Sequence, residues 1–157
     1  MTDPLEQRTL QDYPVHIPAL TRWSDNDMYG HLNNAVYYEV FDSAINGWLA
    51  ENVALNYTET DVIGVVAESG CRFHGELAFP QALTVGLRVA RLGRSSVVYD
   101  LALFEGASPD LDASARATCR WVHVYLDRSS KRSTEIPTGL HQLMEHALGA
   151  TNELQNA

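Results

Sequence analysis

Two aspartates, Asp25 and Asp27, stand just ahead of Gly30, His31, Asn33 and Asn34. Immediately afterwards the apolar residues begin to recur in pairs every four positions: Val36 and Tyr37, Val40 and Phe41, Ala44 and Ile45, Trp48 and Leu49. An acidic turn leading into a helix has the parts that acyl transfer needs. A carboxylate acts as a general base or as a nucleophile. The unpaired N–H groups that open a helix can hold a developing oxyanion. A His beside a carboxylate can orient it, while a turn His can equally bond its ring to backbone, so both readings of His31 stay open.

These residues must be positioned by what flanks them. The paired apolar pattern predicts one long helix, with Asn33 or Asn34 as its N-cap. Residues 13–23 are β-rich, but Pro14 and Pro18 suit an edge strand. Past residue 52 the pattern changes to strands over residues 62–73, 82–92, 95–104 and 113–126. Gly93-Arg94 is the tight turn between the second and third of these. A short helix is expected over 138–148. This order predicts an α+β domain in which a five-stranded antiparallel sheet wraps one long helix. Residues 1–12 read as a loose arm, 13–148 as a single domain and 149–157 as a polar tail. Exposed sheet edges favour pairing with a second copy.

A length of 157 residues suits one domain with a real core, and 45% hydrophobic content reads as globular. The formal net charge of −9 argues against nucleic acid and anionic membranes as partners. No apolar run is long enough for a membrane span, and the polar start lacks a secretion signal, so a cytoplasmic location is expected. Cys71 and Cys119 lack zinc spacing and are expected as reduced, buried side chains. His141 and His146, five apart on a helix, do not share a face. No metal or other cofactor is expected.

The stretch R-x-x-D-x-D-x-x-G-H-x-N-N, Arg22 through Asn34, together with the element order, resembles the hotdog-fold acyl-CoA thioesterases of the 4-hydroxybenzoyl-CoA thioesterase group. The resemblance covers roughly residues 13–137 and includes Leu92-Gly93-Arg94-Ser95-Ser96 and Glu135-Ile136-Pro137. It implies the hotdog fold, acyl-CoA as substrate, and hydrolysis to a carboxylic acid and free CoA. It also implies that Asp27, the second acid of the turn, is the catalytic carboxylate, and that the oxyanion donor lies at Asn33 or Asn34. Asp25 is then structural, paired with Arg22 or bonded to turn N–H groups. A homodimer or homotetramer with composite sites is expected.

For substrate contacts, Tyr29 and Met28 can touch the acyl group, and Glu68, which interrupts an apolar strand, can line the pocket from a partner or simply face outward. Glu39 lies off the apolar stripe and is expected to face solvent. The phosphates of CoA need a local basic set. Arg88, Arg91 and Arg94, with Ser95 and with Arg128, Lys131 and Arg132, form the candidate rim. No Walker-type loop and no G-x-S-x-G elbow offers a rival chemistry. Two other functions remain: hydration or dehydration of an acyl-CoA or carrier-protein thioester, and acyl-CoA binding without catalysis.

Overall fold

The structure is a computed structural model that describes residues 7–149. Its elements are β1 (Val15–Leu20), α1 (Asn34–Asn52), β2 (Val62–Phe73), β3 (Ala82–Leu92), β4 (Ser96–Glu105), β5 (Ala117–Asp127) and α2 (Thr138–His146). The five strands form one sheet in the order β1-β3-β4-β5-β2, with every pairing antiparallel. This is the expected α+β hotdog arrangement of five strands and one long helix.

Helix α1 starts where the sequence places it. Asn33 is the N-cap, and its side-chain oxygen accepts from the Ala35 N–H at 3.0 Å. Val36, Tyr37, Phe41, Ala44, Ile45, Trp48 and Leu49 are buried. They join Leu83, Val85 and Leu87 of β3, Tyr99 and Leu101 of β4, and Cys119 and Trp121 of β5 in one core. Alternate residues of each strand thus face the helix, as a period of two requires. Val40 departs from the expected stripe: it is half-buried, because it borders a groove between α1 and β1.

The opposite sheet face is covered too. Leu10, Tyr13, Ala102, Phe104 and Ala115 form a second apolar cluster there. Gly86 makes this possible, since a Cβ at that position would lie 2.7 Å from the Tyr13 ring. Leu10 N–H donates to Ala113 O at 3.2 Å and Gln11 N–H to Leu111 O at 2.9 Å. Residues 7–12 of the expected loose arm are therefore docked, held by burial of Leu10 and Tyr13. Residues 1–6 of that arm, and 150–157 of the expected tail, lie outside the described residues. The docked arm also delays β5. Ser114 bridges Thr9 and Ala115 N–H donates to Arg8 O, so regular pairing begins at Ala117 and not at 113.

Strand β2 forms one edge of the sheet, and Val66 and Phe73 on it are 48% and 46% exposed. Its register shifts between Val66 and Glu68, and β3 has a similar irregularity between Val89 and Arg91.

Candidate active site

The acidic turn is built by two different uses of its aspartates. Asp25 is buried, at 2% exposure. Its carboxylate accepts from the Arg22 backbone N–H at 2.7 Å and from Arg22 Nε at 3.0 Å, with Arg22 Nη2 at 2.8 Å. Those bonds to Asp25 hold the Arg22 guanidinium above its ordinary pKa, with the Glu39 charge adding to the effect. Asp25 O also accepts the Asn33 N–H at 2.9 Å, which ties the turn to the helix start. Asp25 thus has the structural role expected, both paired with Arg22 and bonded to a turn N–H. Glu39 is exposed, 3.3 Å from Arg22 Nη2.

Asp27 is half-buried and has no basic partner among the described residues. Its Oδ1 accepts from the N–H groups of Tyr29 at 2.8 Å and His31 at 3.2 Å. Asp27 N–H donates to His31 O, and Gly30 N–H to Asp27 O, closing the loop on itself. Gly30 supplies the positive φ of +82° that this reversal needs. One carboxylate oxygen therefore shapes the loop, while Oδ2 carries no hydrogen bond among the described residues and is available to react.

The two asparagines divide likewise. The Asn33 N–H goes to Asp25 O and its side-chain oxygen caps Ala35, so its backbone donor is taken. The Asn34 N–H has no bond among the described residues, leaving it as the open donor at the helix start. His31 reaches Asp27 only through its backbone. Its ring Nε2 instead lies 3.4 Å from Glu76, with both side chains well exposed. Met28 and Tyr29 are nearly fully exposed at 102% and 85%, and Leu20 and Trp23 flank them at 80% and 85%.

The loop is anchored to the connection between β2 and β3. Leu32 N–H donates to Leu77 O at 2.8 Å, and Phe79 N–H donates to Asn26 Oδ1 at 2.9 Å. Sequence reading missed Asn26 and Glu76. Nothing local marks either one, because each meets its partner across more than forty residues of chain.

The candidate CoA rim lies elsewhere. Leu20, which leads into the acidic turn, pairs with Ala82 at the start of β3, whereas Arg91, Arg94 and Ser95 lie at or beyond its other end. Eleven residues of strand separate those ends by about 33 Å. Arg94 Nε donates to Glu135 at 2.7 Å, and Arg91 is exposed. Arg88 does not belong to a surface rim: it is 7% exposed and bonded to Asp100. Glu68 is exposed on the β2 edge and accepts from Arg120 Nε at 3.0 Å. Of the site residues expected from the sequence, then, Asp27, Tyr29, His31, Asn33 and Asn34 share one loop and helix start within one chain, whereas Glu68, Arg91, Arg94 and Ser95 lie apart from them. A groove of about 470 Å³ runs between β1 and α1 with Arg22 and Asp25 at its border, but Asp27 does not line it.

Comparison with known proteins gives this arrangement a family. The description "Thioesterase-like superfamily" belongs to the family model that matches residues 21–144. The chain belongs to that superfamily, and its class of activity is thioester hydrolysis. Among solved structures it is similar to the PA5185 protein of Pseudomonas aeruginosa strain PAO1, at 42% identity and a TM-score of 0.86, covering 92% of this chain and 98% of that one. PA2801, a candidate thioesterase also from Pseudomonas aeruginosa, is 26% identical with a TM-score of 0.73, covering 85% and 98%. A 4-hydroxybenzoyl-CoA thioesterase variant complexed with 4-hydroxybenzoyl-CoA shares the fold at 14% identity and a TM-score of 0.71, covering 83% and 97%. No curated protein matches the chain. No helix among the described residues is long and apolar enough to cross a membrane.

Proposed function

We propose that this chain hydrolyses acyl-CoA thioesters to a carboxylic acid and free CoA. The observation that carries this reading is that Asp27, in a loop closed by its own hydrogen bonds ahead of α1, keeps Oδ2 without a hydrogen bond among the described residues, and that the first helix N–H, that of Asn34, is likewise without one. A thioester carbonyl is weakly stabilised by resonance, so a placed base or nucleophile and one oxyanion donor supply most of what its cleavage needs. Asp27 either deprotonates the attacking water or attacks the carbonyl carbon itself, giving an anhydride that water opens. In both routes the carbonyl oxygen takes the developing charge at Asn34 N–H, and the CoA sulfur leaves as thiolate. His31 and Asn33 support this geometry through the loop and the N-cap. Tyr29 and Met28 present apolar surface to the acyl group.

The site is completed by a second copy. Strand β2 pairs with β5 alone and leaves its other edge open. Antiparallel pairing of two such edges reverses one sheet end for end. The partner's hairpin, with its Arg91, Arg94 and Ser95, would then lie at the same end as this chain's Asp27, which removes the lengthwise part of the separation seen within one protomer. Two experiments test the reading. Purified protein mixed with short, long and aromatic acyl-CoAs should release thiol, measured with a chromogenic thiol reagent; silence across the panel removes the proposal. Light scattering at micromolar concentration should give at least a dimer, and a monomer would contradict the composite site.

A further inference from the structure

The core holds a pair of groups whose chemistry hydrolysis does not use. Cys71 on β2 and Cys119 on β5 are the only cysteines of the chain, and both are free thiols. They are direct cross-strand partners, on the sheet face that packs against α1. Cys119 is buried at 3% exposure, and Cys71 is half-buried. The Cys71 N–H donates to the Tyr38 hydroxyl of α1 at 3.3 Å, so it points out of the open edge of β2 and not toward β5. The pair therefore occupies a non-hydrogen-bonded position, where Cα atoms lie about 4.5 Å apart. Disulfides span Cα separations of about 4.4–6.8 Å, so this cross-strand pairing lies within the reach of a bond.

We propose that Cys71 and Cys119 form a modification site: a cross-strand dithiol that hydroperoxides oxidise to an intrachain disulfide. Cys71 is the attacking sulfur, since it is the more accessible of the two. The hydrogen bond from Cys119 lowers its pKa against the opposing effect of burial, and Tyr38 assists. Cys119 is held protonated by its bond to Cys71 and by burial. The Cys71 thiolate attacks one oxygen of hydrogen peroxide and the O–O bond breaks; a sulfenic acid forms, and the departing hydroxide takes up the proton that Cys71 released and leaves as the first water. The Cys119 sulfur then attacks the Cys71 sulfur. The S–O bond breaks, the S–S bond forms, and a second water leaves carrying the Cys119 proton. Two thiols lose two electrons, and hydrogen peroxide is reduced to two waters. The product staples the open-edge strand β2 to β5, two residues from Phe73, whose ring packs on Tyr37 of α1 at 4.8 Å.

The test uses the whole chain and does not depend on its hydrolytic activity. Treatment with hydrogen peroxide should take the free-thiol count, read in denaturant, from two to none. The intact mass should fall by two hydrogens, peptide mapping should link Cys71 to Cys119, and dithiothreitol should reverse all of it. In Cys119→Ser, Cys71 should stop as a sulfenic acid that dimedone traps. Cys71→Ser should leave the buried Cys119 largely unreacted. Retention of both thiols, accumulation of sulfinic acid on Cys71 in the wild type, or disulfides only between chains would each overturn the proposal. The wild-type mass and map decide the question even if a variant folds poorly.

Discussion

His123 offers a stability test that the hydrolytic reading does not touch. It sits on the helix-facing side of β5 at 3% exposure, with the Tyr99 ring edge-on at 5.6 Å. Its Nε2 accepts from the Trp121 indole N–H at 3.0 Å, which leaves the proton on Nδ1 and the ring neutral. Nδ1 has no partner of its own among the described residues. Burial pushes the pKa of His123 down from 6.5 to about 4. The unfolded chain therefore binds a proton between those values that the folded chain refuses. The contribution of His123 to stability is complete above about pH 6.5 and drains away as the pH falls toward about 4, at about 1.4 kcal/mol per pH unit. The total at stake is about 3 kcal/mol. Urea unfolding of the wild type and of His123→Phe from about pH 7.5 to about pH 4.5 isolates this, since the carboxylates titrate alike in both proteins. The wild type should lose about 2–3 kcal/mol more than the variant over that range. Parallel curves would refute the reasoning, as would an NMR titration placing the His123 midpoint near 6.5.

Other outcomes follow from the same geometry. Asp25→Ala removes the buried carboxylate that accepts the part-buried Arg22 N–H, and should cost about 1–3 kcal/mol in chemical unfolding. The ion pair adds little to that figure, because the Arg22 side chain is 61% exposed. Asn33→Ala removes the cap from Ala35 N–H and should cost about 1 kcal/mol, with thiol release falling as the helix start loosens. A variant as stable as the wild type would contradict the capping role.

Much of this fold was legible because it follows from periodicity. The pairs from Val36 to Leu49 specify the buried face of α1, and Asn33 marks where it begins. Alternation in residues 83–92 places Leu83, Val85, Leu87 and Val89 inward. What covers the opposite face was not legible from that alternation. Thr84 and Arg88 are buried because Tyr13 lies over Gly86, and Arg88 is held by Asp100. A glycine in a strand signals only that something can approach; it does not say what. At the site, the pairing of Asp25 with Arg22 was legible from their proximity in the chain, whereas the choice of Asp27 as the reacting acid came from the family resemblance. The anchors at Leu77 and Phe79 were not, since their bonds to the loop are long-range. The distance between Arg94 and Asp27 was hidden for a related reason: it depends on which end of β3 each segment meets.

The most direct measurement compares thiol release from an acyl-CoA by the wild type and by Asp27→Asn, with unfolding midpoints recorded for both. The amide can still accept from the N–H groups of Tyr29 and His31, so the loop should hold and the midpoints should agree. It cannot take a proton from water, and it is a poor nucleophile, so turnover should fall by about 10²–10⁴-fold. An equally stable variant that releases thiol at the wild-type rate would contradict the central claim that Asp27 carries the chemistry.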